Sequence, residues 1–79
     1  MNEQLASLLA EVFGMRAEEI QLDLNQDDVG TWDSLKQMDL VMSLEREYHI
    51  TLDIPDIVRM TNVSEIMSVL ESKGVNLGN

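Results

Sequence analysis

Gly30-Thr31-Trp32-Asp33-Ser34-Leu35 opens the segment that decides the fold of this chain. From Leu35 onward, apolar side chains recur at the three- and four-residue spacing of an α-helix that runs to about Tyr48. Ser34 is predicted in or just before the first turn of that helix. The free backbone N–H groups and the positive dipole end at a helix start favour an anionic group. A phosphate ester on the Ser34 hydroxyl would therefore be stabilised there.

The helix that begins at Ser34 is predicted to carry two different faces. At about 100° per residue, the face predicted to be buried holds Gln37, Leu40, Val41, Leu44 and Tyr48. The neighbouring face mixes apolar and charged side chains and consists of Ser34, Leu35, Met38, Asp39, Met42, Glu45 and Arg46. Flexible methionine fringed by charge is typical of an interaction surface. In a chain this small, the same methionines could instead belong to the core.

The first helix is predicted from about Glu3 to Phe13, because leucine and valine recur there at helical spacing, and Gly14 is placed to end it. The connection from Met15 to Asp33 is long for a small domain, which usually has a functional reason. Residues 17–20 can form a single turn. Three apolar side chains are predicted to hold the loop against the bundle: Ile20, Leu22 and Leu24.

Two further helices complete the prediction. Asp53 can cap a short third helix. Asn62 and Glu65 resemble a capping box, which would open a last helix that ends near Gly74, and residues 75–79 are expected to fray. The predicted fold is an all-α, small four-helix bundle, with three principal helices, one short helix and a long loop after the first helix.

Length and composition bound the class of protein. Seventy-nine residues suffice for one domain, so residues 1–79 are assigned to a single domain. The chain has no cysteine, which excludes a disulfide framework and a thiolate zinc site. No apolar run approaches the roughly 18 residues of a membrane span, and the start lacks the basic residues of a secretory signal. We expect a cytoplasmic monomer.

The formal net charge is -10, and most of it lies between Glu18 and Asp56, which hold eleven acids against two bases. This charge either forms a solvated face that maintains solubility or steers the chain toward basic patches on partner proteins. Nucleic acid is not expected as a partner, because its phosphates would repel such a surface.

Catalysis by Ser34 would require a base within hydrogen-bond reach. The only histidine, His49, lies fifteen residues further on, about 22 Å along a helix. Lys36 points about 200° around the helix from Ser34, and no glycines flank the serine as in a nucleophile elbow. The chain is therefore predicted not to be an enzyme. The residues by themselves leave open whether Ser34 is an attachment point or an ordinary helix cap.

The motif Asp33-Ser34-Leu35, followed by the helical segment from Asp39 to Tyr48, resembles the acyl carrier proteins, and the resemblance covers the whole chain. It implies that 4′-phosphopantetheine from coenzyme A is attached covalently to Ser34, between Asp33 and Leu35, and holds acyl groups as thioesters. The helix after the serine would be the recognition helix for partner enzymes, presenting Met38, Asp39, Met42, Glu45 and Arg46.

The same resemblance implies two kinds of partner: a phosphopantetheinyl transferase, and acyl-loading, condensing or transfer enzymes with basic docking patches. The pathway would be fatty-acid, polyketide or related lipid biosynthesis. Lys36 and Arg46 stand where many fatty-acid carriers have acids, and residues 54–59 are less acidic than usual, which favours a specialised pathway. If the bundle opens for cargo, the expected lining is Val41, Leu44, Met60, Ile66 and Met67; the alternative is a tight core.

Three other functions stay open. The first is a carrier of amino acids, such as an aminoacyl, peptidyl or D-alanyl carrier protein. The second is a calcium module, because residues 23–27 match the first, third and fifth ligands of an EF-hand loop; Asp28 and Ser34 then stand where glycine and glutamate are required. The third is an acidic adaptor without a prosthetic group.

Overall fold

The computed structural model describes residues 1–78. Four α-helices follow one another along the chain: α1 (Glu3–Phe13), α2 (Ser34–Tyr48), α3 (Ile54–Arg59) and α4 (Val63–Ser72). A single 3-10 turn, Ala17–Glu19, lies in the long loop after α1. The predicted all-α bundle of three principal helices and one short helix is confirmed.

The core lies between the apolar stripes of α1, α2 and α4. Its fully buried side chains are Leu5, Leu9, Leu40, Leu44, Met60, Val63, Ile66, Val69 and Leu70. On α2 the buried residues are Gln37, Leu40, Val41 and Leu44, as the angular positions predict. Removal of these apolar groups from water is the main driving force for folding.

The helix ends follow from local side chains. Gly14 ends α1 in the left-handed conformation at φ 68°, which glycine adopts without steric cost. The predicted caps are present on α3 and α4, where the Asp53 and Asn62 side chains each accept a hydrogen bond from the backbone N–H of the third helical residue. Glu65 does not close a capping box with Asn62, because its carboxylate accepts a hydrogen bond from Arg59 at 2.7 Å.

The long loop is joined to the start of α4 mainly through its backbone. The N–H groups of Val63 and Ser64 donate to the carbonyls of Leu24 and Leu22, each at 3.0 Å, and Gln26 N–H donates to Thr61 O at 3.2 Å. Ile20 is buried as predicted, whereas the prediction for the Leu22 side chain is wrong, since it is 55% exposed. Its carbonyl rather than its side chain anchors the loop.

The C-terminal segment is held more firmly than expected. Leu77 is only 5% exposed, and Val75 N–H donates to Leu70 O at 3.1 Å. The expected fraying is therefore wrong for residues 75–77, because an apolar side chain two residues from the end still covers the core; Asn79 lies outside the described residues. Among residues 1–78, no helix is long and apolar enough to cross a membrane.

Candidate functional site

The centre of the candidate site is Ser34, the first residue of α2. The N-cap is its neighbour Asp33, whose Oδ1 accepts a hydrogen bond from Lys36 N at 2.9 Å and whose carbonyl accepts one from Gln37 N at 2.8 Å. Ser34 is exposed, and within residues 1–78 its hydroxyl makes no hydrogen bond. The interpretation of Ser34 as an ordinary cap is therefore wrong: Asp33 has that role and leaves the serine oxygen available.

The surroundings of the serine oxygen suit a phosphate group. The backbone N–H groups of Ser34 and Leu35 form no hydrogen bond within the part of the chain that the structure describes. They lie at the positive end of α2, where an anion is stabilised by N–H donors and by the helix dipole. A phosphodiester on Ser34 fits this position, whereas a bare serine leaves both donors to water.

One side of Ser34 borders an apolar groove of about 710 Å³. Leu35, Met38 and Met42 are 81%, 47% and 56% exposed, so these side chains are not part of the core. Their role as an interaction surface stays a prediction. Two charged residues, Lys36 and Asp39, also line the groove, with their side-chain charges 3.7 Å apart. We call this surface, Asp33, Leu35, Lys36, Met38, Asp39 and Met42, the α2 groove.

Two residues predicted for partner recognition lie elsewhere. Glu45 is half-buried, and its Oε2 accepts a hydrogen bond from Leu52 N at 2.8 Å. Arg46 is exposed but lines a different groove, between α1 and α2, together with Glu47 and Glu11. The tertiary structure therefore brings Leu35, Met38, Asp39 and Met42 together beside Ser34, but neither Glu45 nor Arg46.

The other side of Ser34 opens into a cleft of about 500 Å³ between α2 and α3. We call it the α2–α3 cleft; it is lined by Gln26, Trp32, Asp33, Ser34, Gln37, Met38, Ile57, Val58 and Thr61. Trp32 is buried against Phe13, with ring centroids 4.4 Å apart. The serine therefore stands between a partly apolar cleft and the apolar α2 groove.

The residues expected to line a cargo cavity are packed in the core. Leu44, Met60 and Ile66 are 0% exposed and Val41 is 3% exposed, whereas Met67 is half-buried and lines a separate groove with Met1 and Leu77. Their role in holding cargo stays a prediction.

Sequence reasoning missed two features around the site. Gln37 is placed correctly on the buried face, but its carboxamide joins three parts of the chain: its Oε1 accepts from Trp32 Nε1 at 2.6 Å, and its Nε2 donates to two carbonyls at the end of α3. A glutamine on an apolar stripe was the available signal. Ile54 and Val58 of α3 lie at the surface, 70% and 69% exposed. Their four-residue spacing on a short helix does not distinguish an exposed apolar pair from a buried one.

The pKa values of three groups away from Ser34 are shifted. Lys73 Nζ lies 2.7 Å from Asp56 Oδ2; the hydrogen bond between them lowers the pKa of Asp56 and raises the pKa of Lys73. At the end of α2, burial, with a contribution from Glu47, raises the pKa of Tyr48. The Tyr48 hydroxyl is buried and has no hydrogen-bond partner within residues 1–78.

The polar groups of the EF-hand-like segment bond to one another. Asn25 Oδ1 accepts from the N–H groups of Asp27 and Asp28, and Asp28 Oδ2 accepts from Asn25 N at 3.2 Å. Among the described residues, no group of three or more histidine or acidic side chains is arranged to hold a metal ion. The segment forms an Asx turn in this structure.

Comparison with known proteins agrees with this geometry. Residues 3–70 match the family model described as a phosphopantetheine attachment site. The chain is 36% identical to an acyl carrier protein of Exiguobacterium sibiricum over 82% of each chain. It is 31% identical to an acyl carrier protein of Thermotoga maritima over 89% of this chain and 86% of that protein. The solution NMR structure of holo acyl carrier protein from Geobacter metallireducens superposes with a TM-score of 0.80 at 25% identity, over 92% of this chain and 86% of the other.

The fold and the match to the family model define a carrier domain that bears a covalently bound prosthetic group. The chain belongs to the phosphopantetheine-attachment family of acyl carrier proteins. Its function is to bear an acyl group on covalently bound 4′-phosphopantetheine. Acyl carrier proteins are carriers rather than catalysts.

Proposed function

We propose that Ser34 is the residue to which 4′-phosphopantetheine is attached. A transferase would recognise the flanking residues Asp33 and Leu35. The observation that carries the proposal is that two adjacent residues at the start of α2 have different roles. Asp33 caps the helix, so the exposed Ser34 hydroxyl is free to form an ester. The neighbouring N–H groups are free to stabilise its phosphate.

In the proposed function, the chain itself does no chemistry. The thiol at the end of the arm holds the acyl group as a thioester, and partner enzymes form and break that bond. The proposed partners are a phosphopantetheinyl transferase and acyl-loading, condensing or transfer enzymes. Residues 1–79 would act as one carrier domain, working as a monomer in the cytoplasm, in fatty-acid, polyketide or related lipid biosynthesis.

We propose the α2 groove as the docking surface for these enzymes. Its apolar floor can be covered by a partner, while Asp33 and Asp39 at its edge supply negative charge next to the serine. Opposite charges on the partner would raise the rate of encounter and fix the orientation. Glu45 and Arg46 lie outside the α2 groove and are not part of this proposed docking surface.

Intact-mass spectrometry tests the attachment. The apo protein is incubated with coenzyme A and a broad-specificity phosphopantetheinyl transferase, and the modified residue is mapped by proteolysis. We expect the protein to gain the mass of one 4′-phosphopantetheinyl group, on Ser34. Ser34→Ala should abolish the gain and keep the helical circular dichroism. Ser64→Ala is the matched control, since Ser64 is also an exposed serine in the first turn of a helix; this variant should be modified normally. Modification of Ser34→Ala at another residue would refute the assignment.

A further inference from the structure

Gln37 has the most constrained polar side chain at the site. It is buried, and both N–H groups of its amide are used. Nε2 donates to Ile57 O at 2.9 Å and to Met60 O at 3.1 Å. Its Oε1 accepts from the buried Trp32 Nε1 at 2.6 Å. One carboxamide therefore joins the long loop, α2 and the end of α3.

Gln37 lies between Ser34 and the core. It follows Ser34 by one helical turn and lines the α2–α3 cleft together with Ser34 and Ile57. Leu40 and Val41 follow Gln37 by another turn on the same buried face and are 0% and 3% exposed. An acyl chain that entered the bundle from this cleft, between α2 and α3, would have to displace the Gln37 carboxamide.

Displacement of that carboxamide would be unfavourable. It would leave the Trp32 N–H and the Ile57 and Met60 carbonyls without their partner, and a buried polar group that loses its hydrogen bond destabilises the protein. A hydrocarbon chain offers no replacement donor or acceptor. We call these three hydrogen bonds of the Gln37 carboxamide the bridge. The bridge therefore opposes the entry of apolar cargo more strongly than a purely apolar contact between the helices would.

We propose that Gln37 determines the cargo class of this carrier by closing the interior to long acyl chains. Short acyl groups are carried outside the core, in or near the α2–α3 cleft, where they remain accessible to partner enzymes. This inference rests on the proposed attachment at Ser34, because the cleft matters only if the arm begins there.

The test compares thermal stability as a function of acyl length. Butyryl, octanoyl and dodecanoyl forms are prepared by a transferase that accepts acyl-coenzyme A, and each melting temperature is measured relative to the holo form. In the unsubstituted protein we expect no rise in melting temperature with chain length. In Gln37→Met, which keeps the size of the side chain but removes the bridge, we expect the melting temperature to rise from butyryl to dodecanoyl as the chain enters the core. The rate of thioester cleavage by hydroxylamine should fall in parallel.

A matched glutamine, Gln4, is available on α1. Gln4 Nε2 donates to Glu47 Oε2 at 2.6 Å and joins α1 to α2 at the surface, so Gln4→Met removes a helix-joining carboxamide without touching the cleft. This control should behave like the unsubstituted protein. If Gln37→Met does not fold, the double variant Trp32→Phe with Gln37→Met, which also removes the stranded indole N–H, replaces it.

The outcomes separate the two proposals. A failure to load any acyl group on Ser34 contradicts the proposed function itself. Normal loading with a melting temperature that rises with chain length in the unsubstituted protein overturns the inference about Gln37 alone. Normal loading with no dependence on length in either the unsubstituted protein or the bridge variants also overturns it, because the interior is then closed without the bridge.

Discussion

Glu45 Oε2 accepts a hydrogen bond from the backbone N–H of Leu52 at 2.8 Å. The bond joins the last turns of α2 to the extended link that leads into α3. Leu52 is itself buried, so the bond helps to place that link against the core. The helical pattern assigns Glu45 to a docking face, but its carboxylate instead forms a hydrogen bond with the chain's own backbone.

Replacement of Glu45 should reduce stability. Glu45→Ala removes the acceptor for Leu52 N–H, and we expect the free energy of unfolding to fall by about 1 kcal/mol. Glu45→Gln retains an acceptor oxygen and should lose less. Urea denaturation followed by circular dichroism measures both variants. If Glu45→Ala weakens partner binding while stability is unchanged, the side chain serves the partner instead.

Reversal of the charge of Asp39 should weaken association with a transferase or another basic partner without loss of stability. Asp39 is exposed beside Ser34 in the α2 groove, and surface ion pairs such as its contact with Lys36 contribute little to folding. We expect Asp39→Lys to lower the association rate, with a difference that shrinks as salt is added. Asp23→Lys, an equal charge change in the exposed loop, is the control; an equal loss there would indicate net charge rather than docking.

The N-cap at Asp33 should make a measurable contribution to the free energy of unfolding. Its Oδ1 accepts from Lys36 N at 2.9 Å, and loss of such a cap costs about 1 kcal/mol. Asp33→Ala should show this loss in urea denaturation, whereas Asp33→Asn and Asp33→Ser should largely restore stability. Asp27→Ala removes the same charge at an exposed position and should change stability by no more than about 0.5 kcal/mol. An equal loss in both variants would rule out the cap as the cause.

The apolar floor of the α2 groove should matter for binding rather than for folding. Met42 is 56% exposed, so Met42→Ala should leave the free energy of unfolding within about 0.5 kcal/mol of its original value. Modification by the transferase, or binding to an acyl-transfer enzyme, should become weaker. Leu22, at 55% exposed, lies outside the groove, and Leu22→Ala controls for the loss of an exposed apolar side chain. Unchanged partner kinetics in Met42→Ala would contradict the proposed docking surface.

The ion pair between Asp56 and Lys73 should make part of the stability depend on pH. Because the hydrogen bond to Lys73 lowers the pKa of Asp56, its contribution is fully present above the ordinary pKa of about 3.9 and is lost as the pH falls through the lower folded-state pKa. Because the pKa of Lys73 is raised, the contribution is present below the ordinary value of about 10.4 and is lost as the pH rises through the higher one.

Lys73→Met should therefore be less stable than the unsubstituted protein near neutral pH, with a difference that disappears as the pH falls below the lowered pKa of Asp56. Unfolding by urea at a series of pH values measures this difference. Lys36→Met, whose ammonium lies 3.7 Å from Asp39, removes the same charge from a longer contact and should show a smaller difference. A difference for Lys73→Met that is independent of pH would show that lost packing, not the ion pair, is responsible.

The sequence by itself determined the helices and their ends. The bounds of α1 and α2, the cap at Asp53 and the glycine end of α1 all follow from interactions between residues a few positions apart, and such interactions are written in the local pattern. The motif around Ser34, together with the helix that follows it in an acidic chain, was also sufficient to indicate the family. Both depend on short-range order in the chain.

Only the tertiary structure decided how the side chains of α2 are divided between core, backbone support and surface. Helical spacing alone does not say whether Met38 and Met42 face another helix or water, that Glu45 meets Leu52, or that Gln37 reaches the end of α3. Leu77 at the far end of the chain is a further example, since its burial depends on which groove lies beside it. These contacts join residues that are distant in the sequence, and their energies depend on geometry that exists only after the helices have packed.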